Sequence, residues 1–175
     1  EKARWIGVFS GRAVNVPGAT LTLEQVGLPD AMAWALFAPL VTRELGGDRD
    51  AVAARSEHAA KALDTIMARS WVIINHAPTV MSTALLAFHP VRVAGDALHL
   101  HPLLCIWLNT DFDGDQVAVS LPITEAAQRE AGEKLSVAGH LARDPGLLTS
   151  LMPSLDMLWG LARLSLTPEG LAEVS

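Results

Sequence analysis

The segment of this sequence with the clearest capacity for chemistry is acidic, NTDFDGDQ at residues 109–116. Three carboxylates occupy alternate positions around one glycine: Asp111, Asp113, Gly114 and Asp115. Alternate residues share a face of an extended chain, and the glycine lets the backbone turn sharply enough to bring the carboxylates to one point. Carboxylates that converge in this way repel one another unless a cation lies among them. Because carboxylate oxygens are hard ligands, the pattern predicts a Mg²⁺ site, with Mn²⁺ as a substitute and Ca²⁺ as a competitor.

This segment has two alternatives to a magnesium site: an EF-hand calcium loop and a solvated acidic turn. An EF-hand calcium loop also begins with acidic residues at its first, third and fifth positions. Its sixth position would be Gln116, where glycine is needed, and its twelfth would be Pro122, where a bidentate glutamate is needed. The other alternative is a solvated acidic turn. The apolar segments on both sides of the motif favour the metal site over that turn.

Short apolar segments predict the strands that must position the acidic motif. The first lies in the Val- and Thr-rich stretch from Ile6 to Leu23, and the others are Trp71–Ile74, Leu85–Val93, Ala97–Leu100, Leu103–Leu108 and Gln116–Leu121. Gly95-Asp96 is predicted to be a hairpin turn. Nearly continuous apolar strands are typical of strands buried in a compact barrel.

Helical patterns interrupt and follow these strands. A helical insertion is predicted at about 28–70, with Pro39 expected to kink or end its first helix. A C-terminal helical segment is predicted at about 125–165, and Thr124 is placed as the N-cap of its first helix. The expected architecture is therefore a single domain, 1–175, that is mainly β with added helices (α+β).

Composition narrows the class of protein further. The 175 residues carry 13 Lys and Arg against 19 Asp and Glu, a net charge of −6, and 50% are hydrophobic. This content excludes disorder, and the acidic balance disfavours a free-standing nucleic-acid binder. The apolar runs are shorter than the roughly 20 residues of a membrane-spanning helix, so no membrane association is expected. The single Cys105 favours a reducing, cytoplasmic compartment, and the apolar content favours a surface covered by a larger assembly.

At this point a resemblance to a known family becomes visible. The segment NTDFDGDQVAV, residues 109–119, resembles NADFDGDQMAV, the absolute signature of the largest catalytic subunit of multisubunit RNA polymerases, called beta-prime in bacteria. Further blocks follow the family's order: SGRAV at 10–14 is similar to SGRSV, QVGLP at 25–29 to QCGLP, NHAPT at 75–79 to NRAPT, LHPLLC at 100–105 to LHPLVC, and MPSLDMLWGL at 152–161 to VPSQDVVLGL. The resemblance therefore extends over almost the whole chain.

The resemblance implies a fold, an activity and a set of partners. The fold is a double-psi beta-barrel with a helical insertion, in which Asp111, Asp113 and Asp115 are the catalytic residues that bind Mg²⁺ for nucleotidyl transfer. The implied nucleic-acid and nucleotide contacts are Arg12, Asn75 and His76. The implied partners are the second-largest, beta-like subunit together with DNA template, RNA and nucleoside triphosphates. Without them the isolated chain is expected to be inactive.

Departures from the family occur at polar positions that the resemblance places near nucleic acid. His76 replaces the arginine of NRAPT, Met81 and Ser82 replace histidine and arginine in NRAPTLHR, and Ser120 replaces the histidine of AVHVP. An imidazole is shorter than a guanidinium and lacks its bidentate fork. Two interpretations stay open: a divergent polymerase subunit with a partly rebuilt site, or a non-catalytic barrel paralogue that acts as a protein-interaction module. The retention of three mutually repelling carboxylates favours a metal-dependent role.

His99 and His101 form a second pattern that could bind a metal, because they alternate on one predicted strand. No third nitrogen or thiolate ligand has a suitable spacing, so structural histidines are the favoured interpretation. The five tryptophans lie mostly in apolar runs and are expected in the core or at an interface, not as base-stacking platforms.

Overall fold

The computed structural model describes residues 4–7, as backbone only, and residues 9–167. Residues 1–3, 8 and 168–175 fall within the predicted domain 1–175, and residue 8 also falls within the first predicted strand, but all lie outside the described residues. The described strands are β1 to β7, at Arg4–Gly7, Ser10–Pro17, Gln25–Pro29, Val72–Asn75, Leu85–Val93, Leu98–Leu100 and Gln116–Ser120. The described α-helices are α1 to α7, at Asp30–Glu44, Arg49–Ala53, Glu57–Ala68, Cys105–Leu108, Glu125–Glu130, Val137–Arg143 and Leu155–Leu164.

The strands form one sheet in the order β1-β2-β6-β3-β5-β4-β7. The pairs β2–β6 and β3–β5 are parallel, whereas the other pairs are antiparallel. β2 also pairs with β7, so the hydrogen-bonded order of six strands returns to β2. Inward-facing positions on β2 alternate with outward-facing ones, which places Ala13 and Asn15 in the interior and Arg12 outside.

Three helices lie between β3 and β4. α1 buries Leu36, Phe37 and Val41 in the core, and it continues through Pro39 to Glu44, so that proline does not end it. α3 begins at a Ser56 cap, whose hydroxyl accepts the backbone N–H of Ala59. A network of ion pairs holds these helices to β5: Arg92 bonds Asp64 at 2.6 and 2.7 Å and Asp30 at 3.0 Å, and Arg55 bonds Asp30 at 2.8 Å.

Two predictions in the stretch before the acidic motif are wrong: the strand at Leu103–Leu108 and the hairpin turn at Gly95-Asp96. Leu103–Leu108 forms a 3₁₀ turn at Pro102–Leu104 followed by the short helix α4, because His101 caps the turn by accepting the N–H of Leu103. A short apolar run does not distinguish a buried strand from a buried helix. Gly95-Asp96 does not join a hairpin, since β3 lies between β5 and β6 in the sheet.

The C-terminal part is helical and ends away from the sheet. Thr124 caps α5 as predicted, with its hydroxyl accepting the N–H of Ala127. A π-helical turn at Ala131–Leu135 leads into α6, a 3₁₀ segment covers Pro145–Leu151, and α7 follows with exposed side chains. Helical residues thus outnumber strand residues, so the architecture is mixed α and β and the mainly β balance is corrected. Within the described ranges, no helix is both long and apolar enough to cross a membrane.

The core continues from the sheet into α4, which carries the acidic motif. Trp107 is 1% exposed; its indole N–H donates to Ser150 Oγ at 2.6 Å, and its carbonyl accepts the Thr83 hydroxyl at 2.9 Å. The neighbouring Ile106 is 56% exposed. One residue of α4 is therefore fixed in the core while the next faces outward, which orients the start of the acidic loop.

We expect Trp107→Phe to lower the free energy of unfolding by about 1–3 kcal/mol, because it removes a buried hydrogen-bond donor and leaves a small cavity. Ile106→Ala on the same helix is the matched control and should change it by no more than about 0.5 kcal/mol. Urea unfolding of both variants measures the difference. Equal effects would mean that Trp107 does not anchor α4.

Candidate functional site

The acidic loop connects α4 to β7 through two unusual backbone conformations. Asn109 ends α4 in the left-handed region with φ 51°, and the N–H of Thr110 donates to the carbonyl of Cys105 at 3.0 Å. Gly114 has φ +117°, a conformation that L side chains rarely adopt, and a Cβ built there meets no atom within 4 Å. The backbone conformation alone therefore requires glycine at this position.

The loop brings the three predicted carboxylates together. One oxygen from each of Asp111, Asp113 and Asp115 lies within 4.8 Å of the others, and no other group of three acidic, His or Cys side chains in the described residues is as close. Asp111 and Asp113 are exposed and Asp115 is half-buried. Metal–oxygen distances of about 2.1 Å place ligand oxygens roughly 3–4.2 Å apart around Mg²⁺. Small side-chain adjustments would thus give a shared coordination shell, and the all-oxygen donor set suits Mg²⁺ or Mn²⁺.

A chain of buried hydrogen bonds connects the acidic loop to β2. Asn15 on β2 donates through Nδ2 to Thr110 Oγ1 at 3.2 Å and to the carbonyl of Asp111 at 2.9 Å. The Thr110 hydroxyl in turn donates to Asp115 Oδ2 at 3.2 Å. Both Asn15 and Thr110 are buried, so this chain fixes one oxygen of Asp115 against the protein interior.

Backbone N–H groups inside the loop add two further hydrogen bonds. The N–H of Asp111 donates to Asp115 Oδ2 at 3.2 Å, and that of Asp113 donates to Asp111 Oδ1 at 3.3 Å. Asp115 Oδ2 consequently accepts two hydrogen bonds from the protein. These bonds close the loop on its own carboxylates.

The pKa values of Asp113 in the loop and of Cys105 beside it are both raised. Hydrogen bonding with Asp111, together with the charges of Asp111 and Asp115, raises the pKa of Asp113 above its usual value. Burial, with a smaller effect of Asp111, raises the pKa of the Cys105 thiol to about 11. Cys105 is therefore a neutral wall of the cleft and not a nucleophile at neutral pH.

His76 is the predicted nucleotide-binding residue that contacts the carboxylates. It follows β4 directly, and its Nε2 lies 3.4 Å from Asp115 Oδ2. The residue is 9% exposed, and its ring nitrogen Nδ1 is buried with no hydrogen-bond partner among the described residues. The structure thus brings His76 together with the acidic loop.

Arg12 and Asn75 lie outside the acidic cluster. Both pair with Ala118 of β7, Arg12 from β2 on one side and Asn75 from β4 on the other, so they share the outer face of the sheet. Asn75 Oδ1 accepts the Thr79 hydroxyl at 3.0 Å. Arg12 faces the opposite side of β2 from Asn15, which supports the loop.

The departures from the family surround the site unequally. Met81 lines a cleft beside Asp111 and Asp115, together with Cys105 and Ile106. Ser82 is exposed in the same loop. Ser120 pairs with Ser10 and Ile73 at the far end of β7, five residues beyond Asp115 or about 17 Å along an extended strand. Of Met81, Ser82 and Ser120, only Met81 borders the acidic loop. His76, the fourth departure, contacts Asp115.

Two residues that support the carboxylates, Asn15 and Thr110, are not among the site residues predicted from the sequence. A signal for Asn15 was present, because it is a polar residue between Val14 and Val16 at an inward position of a strand. A polar side chain in such a position needs hydrogen-bond partners inside the protein. Only the fold shows that Thr110 and Asp111 supply them.

The other residues considered in the sequence lie in structural positions. His101 caps the turn before α4, and His99 packs its Cβ against Gly27. Trp34 and Trp107 are buried and Trp71 stacks on His89 with ring centroids 3.8 Å apart, whereas Trp159 is 75% exposed. None of these residues lies in the acidic loop.

Comparison with known proteins identifies the family to which this loop and fold belong. Residues 43–137 match the family described as RNA polymerase Rpb1, domain 2, which is more than half of the chain. The chain belongs to this family. Its acidic loop lies inside the matched residues.

Individual relatives of this Rpb1 domain 2 chain are named as DNA-directed RNA polymerase subunit beta′. The subunit of Bifidobacterium longum (strain DJO10A) is 38% identical over 174 residues, 93% of this chain and 13% of that protein. Those of Clostridium perfringens (strain 13) and Streptococcus thermophilus are 36% and 39% identical, over 93% of this chain and 14% of each relative. The chain thus spans about one-seventh of the length of these relatives.

We expect Thr110→Val to lower the free energy of unfolding by about 1–3 kcal/mol, because valine has the same shape but leaves Asn15 Nδ2 and Asp115 Oδ2 without their link. Thr110→Ser keeps the hydroxyl and should lose less than about 1 kcal/mol. Denaturant unfolding of the pair measures the effect. Equal stability of the two variants would show that the hydroxyl does not support the loop.

Asp113→Asn should raise the free energy of unfolding at pH 7 when divalent cations are chelated. The folded-state pKa of Asp113 is raised, so the folded state loses stability as the pH rises through that pKa and the side chain becomes charged. The gain from the substitution should disappear at pH values below the unfolded-state pKa of about 3.9.

Urea unfolding of Asp113→Asn at several pH values measures this gain, with Asp96→Asn in the exposed loop between β5 and β6 as the matched control. A loss of stability in Asp113→Asn at pH 7, or the same gain in both variants, would contradict mutual repulsion in the loop.

Proposed function

We propose that this chain is the part of a beta-prime-like RNA polymerase subunit that holds the catalytic Mg²⁺ for nucleotidyl transfer in RNA synthesis. The observation that carries the proposal is the convergence of Asp111, Asp113 and Asp115 to within 4.8 Å inside the segment that matches Rpb1 domain 2. Three carboxylates held this close repel one another in the metal-free state. A fold that nevertheless builds around them is best explained by a cation.

The fold we propose for this function is a double-psi beta-barrel with a helical insertion. Its support is the pairing pattern, in which β2 bonds to both β6 and β7 and the order of six strands returns to its start. β2 also supports the loop before β7 through Asn15, whose side chain donates to the carbonyl of Asp111.

Each residue of the proposed site has a definable task. Asp111, Asp113 and Asp115 would hold the ion, which when bound supplies stabilisation of the negative charge on attacking and leaving oxygens. Asn15 and Thr110 keep the loop in register with β2 and hold one oxygen of Asp115. Arg12 projects from the outer face of β2, where a guanidinium is suited to a nucleic-acid phosphate, and Asn75 shares that face.

The charge of the chain indicates which partners the function needs. The net charge is −6, and five basic side chains are paired with acidic ones: Arg55, Lys61, Arg69, Arg92 and Lys134. A triphosphate and its leaving group require cationic groups, and no Lys or Arg among the described residues pairs with the three aspartates. We therefore propose that a beta-like second subunit supplies them, with DNA template, RNA and nucleoside triphosphates as further partners, and that the assembly acts in the cytoplasm.

A second candidate function is supported by the exposed apolar surface of the C-terminal part. Its large side chains there are exposed: Leu148, Met152, Leu155, Met157, Leu158, Trp159, Leu161, Leu164 and Leu166. Such a surface is typical of a protein interface. A non-catalytic barrel paralogue would use this surface as a protein-interaction module and keep the acidic loop as structure only.

We expect the isolated chain to bind Mn²⁺ and Mg²⁺ only weakly, at about millimolar concentrations, because Mg²⁺ sheds its waters reluctantly and usually needs substrate phosphates to complete its shell. Asp113→Ala should abolish this binding, whereas Asp96→Ala should leave it unchanged. Titration calorimetry measures the affinities. After assembly with a beta-like subunit on a primed template, Asp113→Ala should also abolish Mg²⁺-dependent nucleotide addition.

The two candidate functions predict different outcomes. Nucleotide addition that is equal in Asp113→Ala and in the unaltered chain would remove the catalytic role. Metal binding that persists in Asp113→Ala would remove the metal site. Loss of assembly, but not of metal binding, after Trp159→Ser would identify the apolar surface as an interface that the catalytic role also needs.

A further inference from the structure

His76 is a largely buried polar residue whose hydrogen bonding is incomplete. Its exposed fraction is 9%, its Nε2 lies 3.4 Å from Asp115 Oδ2, and its Nδ1 is buried without a hydrogen-bond partner in the described part of the chain. The ring therefore touches the acidic loop on one side and finds no polar group on the other.

The two ring nitrogens therefore have different surroundings. This difference determines which of them carries the proton of a neutral ring. In a neutral imidazole one nitrogen donates and the other accepts. A proton on Nδ1 would be a buried donor without an acceptor, and it would leave the lone pair of Nε2 facing a carboxylate oxygen. A proton on Nε2 would instead lie beside that oxygen, 3.4 Å from the ring nitrogen. The surroundings thus favour the Nε2–H form.

The hydrogen bonds to Asp115 assign different tasks to its two oxygens. Oδ2 accepts the Thr110 hydroxyl and the N–H of Asp111, both at 3.2 Å, and it is also the oxygen nearest to His76. Two hydrogen bonds and the His76 ring thus surround this oxygen, which leaves little room there for a cation. Oδ1 is the oxygen left to bind a cation.

We propose that His76 is a positioning residue of the metal site: its Nε2–H donates to Asp115 Oδ2 and so presents Oδ1 to the cation. The proposal rests on the proposed function, because it needs the metal site formed by the three aspartates. His76 then orients a ligand without being one.

Two substitutions separate the hydrogen bond from the space that the ring fills. Gln has an amide nitrogen that reaches about as far as Nε2 of histidine, so His76→Gln keeps a donor to Asp115. His76→Leu fills a similar volume without one. Removal of an outer hydrogen-bond partner typically weakens metal binding roughly 10–100-fold. Electron paramagnetic resonance titration with Mn²⁺ at fixed pH should give near-native affinity for His76→Gln and at least a roughly tenfold loss for His76→Leu.

A spectroscopic measurement tests the same proposal without any substitution. Nitrogen NMR of the ¹⁵N-histidine-labelled chain should show His76 protonated at Nε2, and pulsed resonance of bound Mn²⁺ should show no directly coordinated histidine nitrogen. A proton on Nδ1, a Mn²⁺–nitrogen bond to His76, or equal affinity in His76→Leu and His76→Gln would overturn the proposal. This measurement also decides the matter if His76→Leu fails to fold.

The failure of this inference is distinguishable from failure of the metal site itself. If Mn²⁺ binds the unaltered chain and Asp113→Ala abolishes that binding, the metal site stands whatever the result for His76. If millimolar Mn²⁺ does not bind the unaltered chain, both proposals are wrong.

Discussion

The constraint on which the rest of this structure depends is the repulsion among Asp111, Asp113 and Asp115, whose oxygens lie within 4.8 Å of one another. Among the described residues, no Lys or Arg forms an ion pair with these carboxylates, and the ring of His76 lies 3.4 Å from Asp115 Oδ2. The protein instead opposes the repulsion with geometry: Gly114 permits the turn, and the buried chain from Asn15 through Thr110 fixes Asp115. Hydrogen bonding with Asp111, together with the charges of Asp111 and Asp115, raises the pKa of Asp113. Without a cation, the three negative charges destabilise the loop. Charges that repel one another in this way are typical of functional sites.

Much of this arrangement could be predicted from local sequence. The three aspartates, the apolar strands β4, β5 and β7, and the Thr124 cap each depend on short-range patterns that have direct physical meaning. The predictions failed where tertiary contacts decide. Leu103–Leu108 is helical because His101 and Trp107 fix it against the rest of the fold. Likewise, β3 separates β5 from β6, which no spacing in the sequence reveals.

The support of the site was hidden for the same reason. Asn15 precedes Asp111 by 96 positions, and the two meet only because β2 pairs with β7. His76 joins the loop through the pairing of β4 with β7. β2 therefore supplies Asn15, which supports the loop through Thr110 and the Asp111 carbonyl, and the residue after β4 supplies His76 beside Asp115. The resemblance to the family indicated the three aspartates, whereas the fold supplied the residues that position them.

Manganese bound in crystals of this chain tests the central claim most directly, because its anomalous scattering locates the ion without reference to activity. The account predicts a single strong peak among Asp111, Asp113 and Asp115, within about 2.2 Å of one oxygen of each, with Asp115 contributing Oδ1. An absence of ordered manganese at these side chains under saturating Mn²⁺, with a peak elsewhere on the chain, would contradict it.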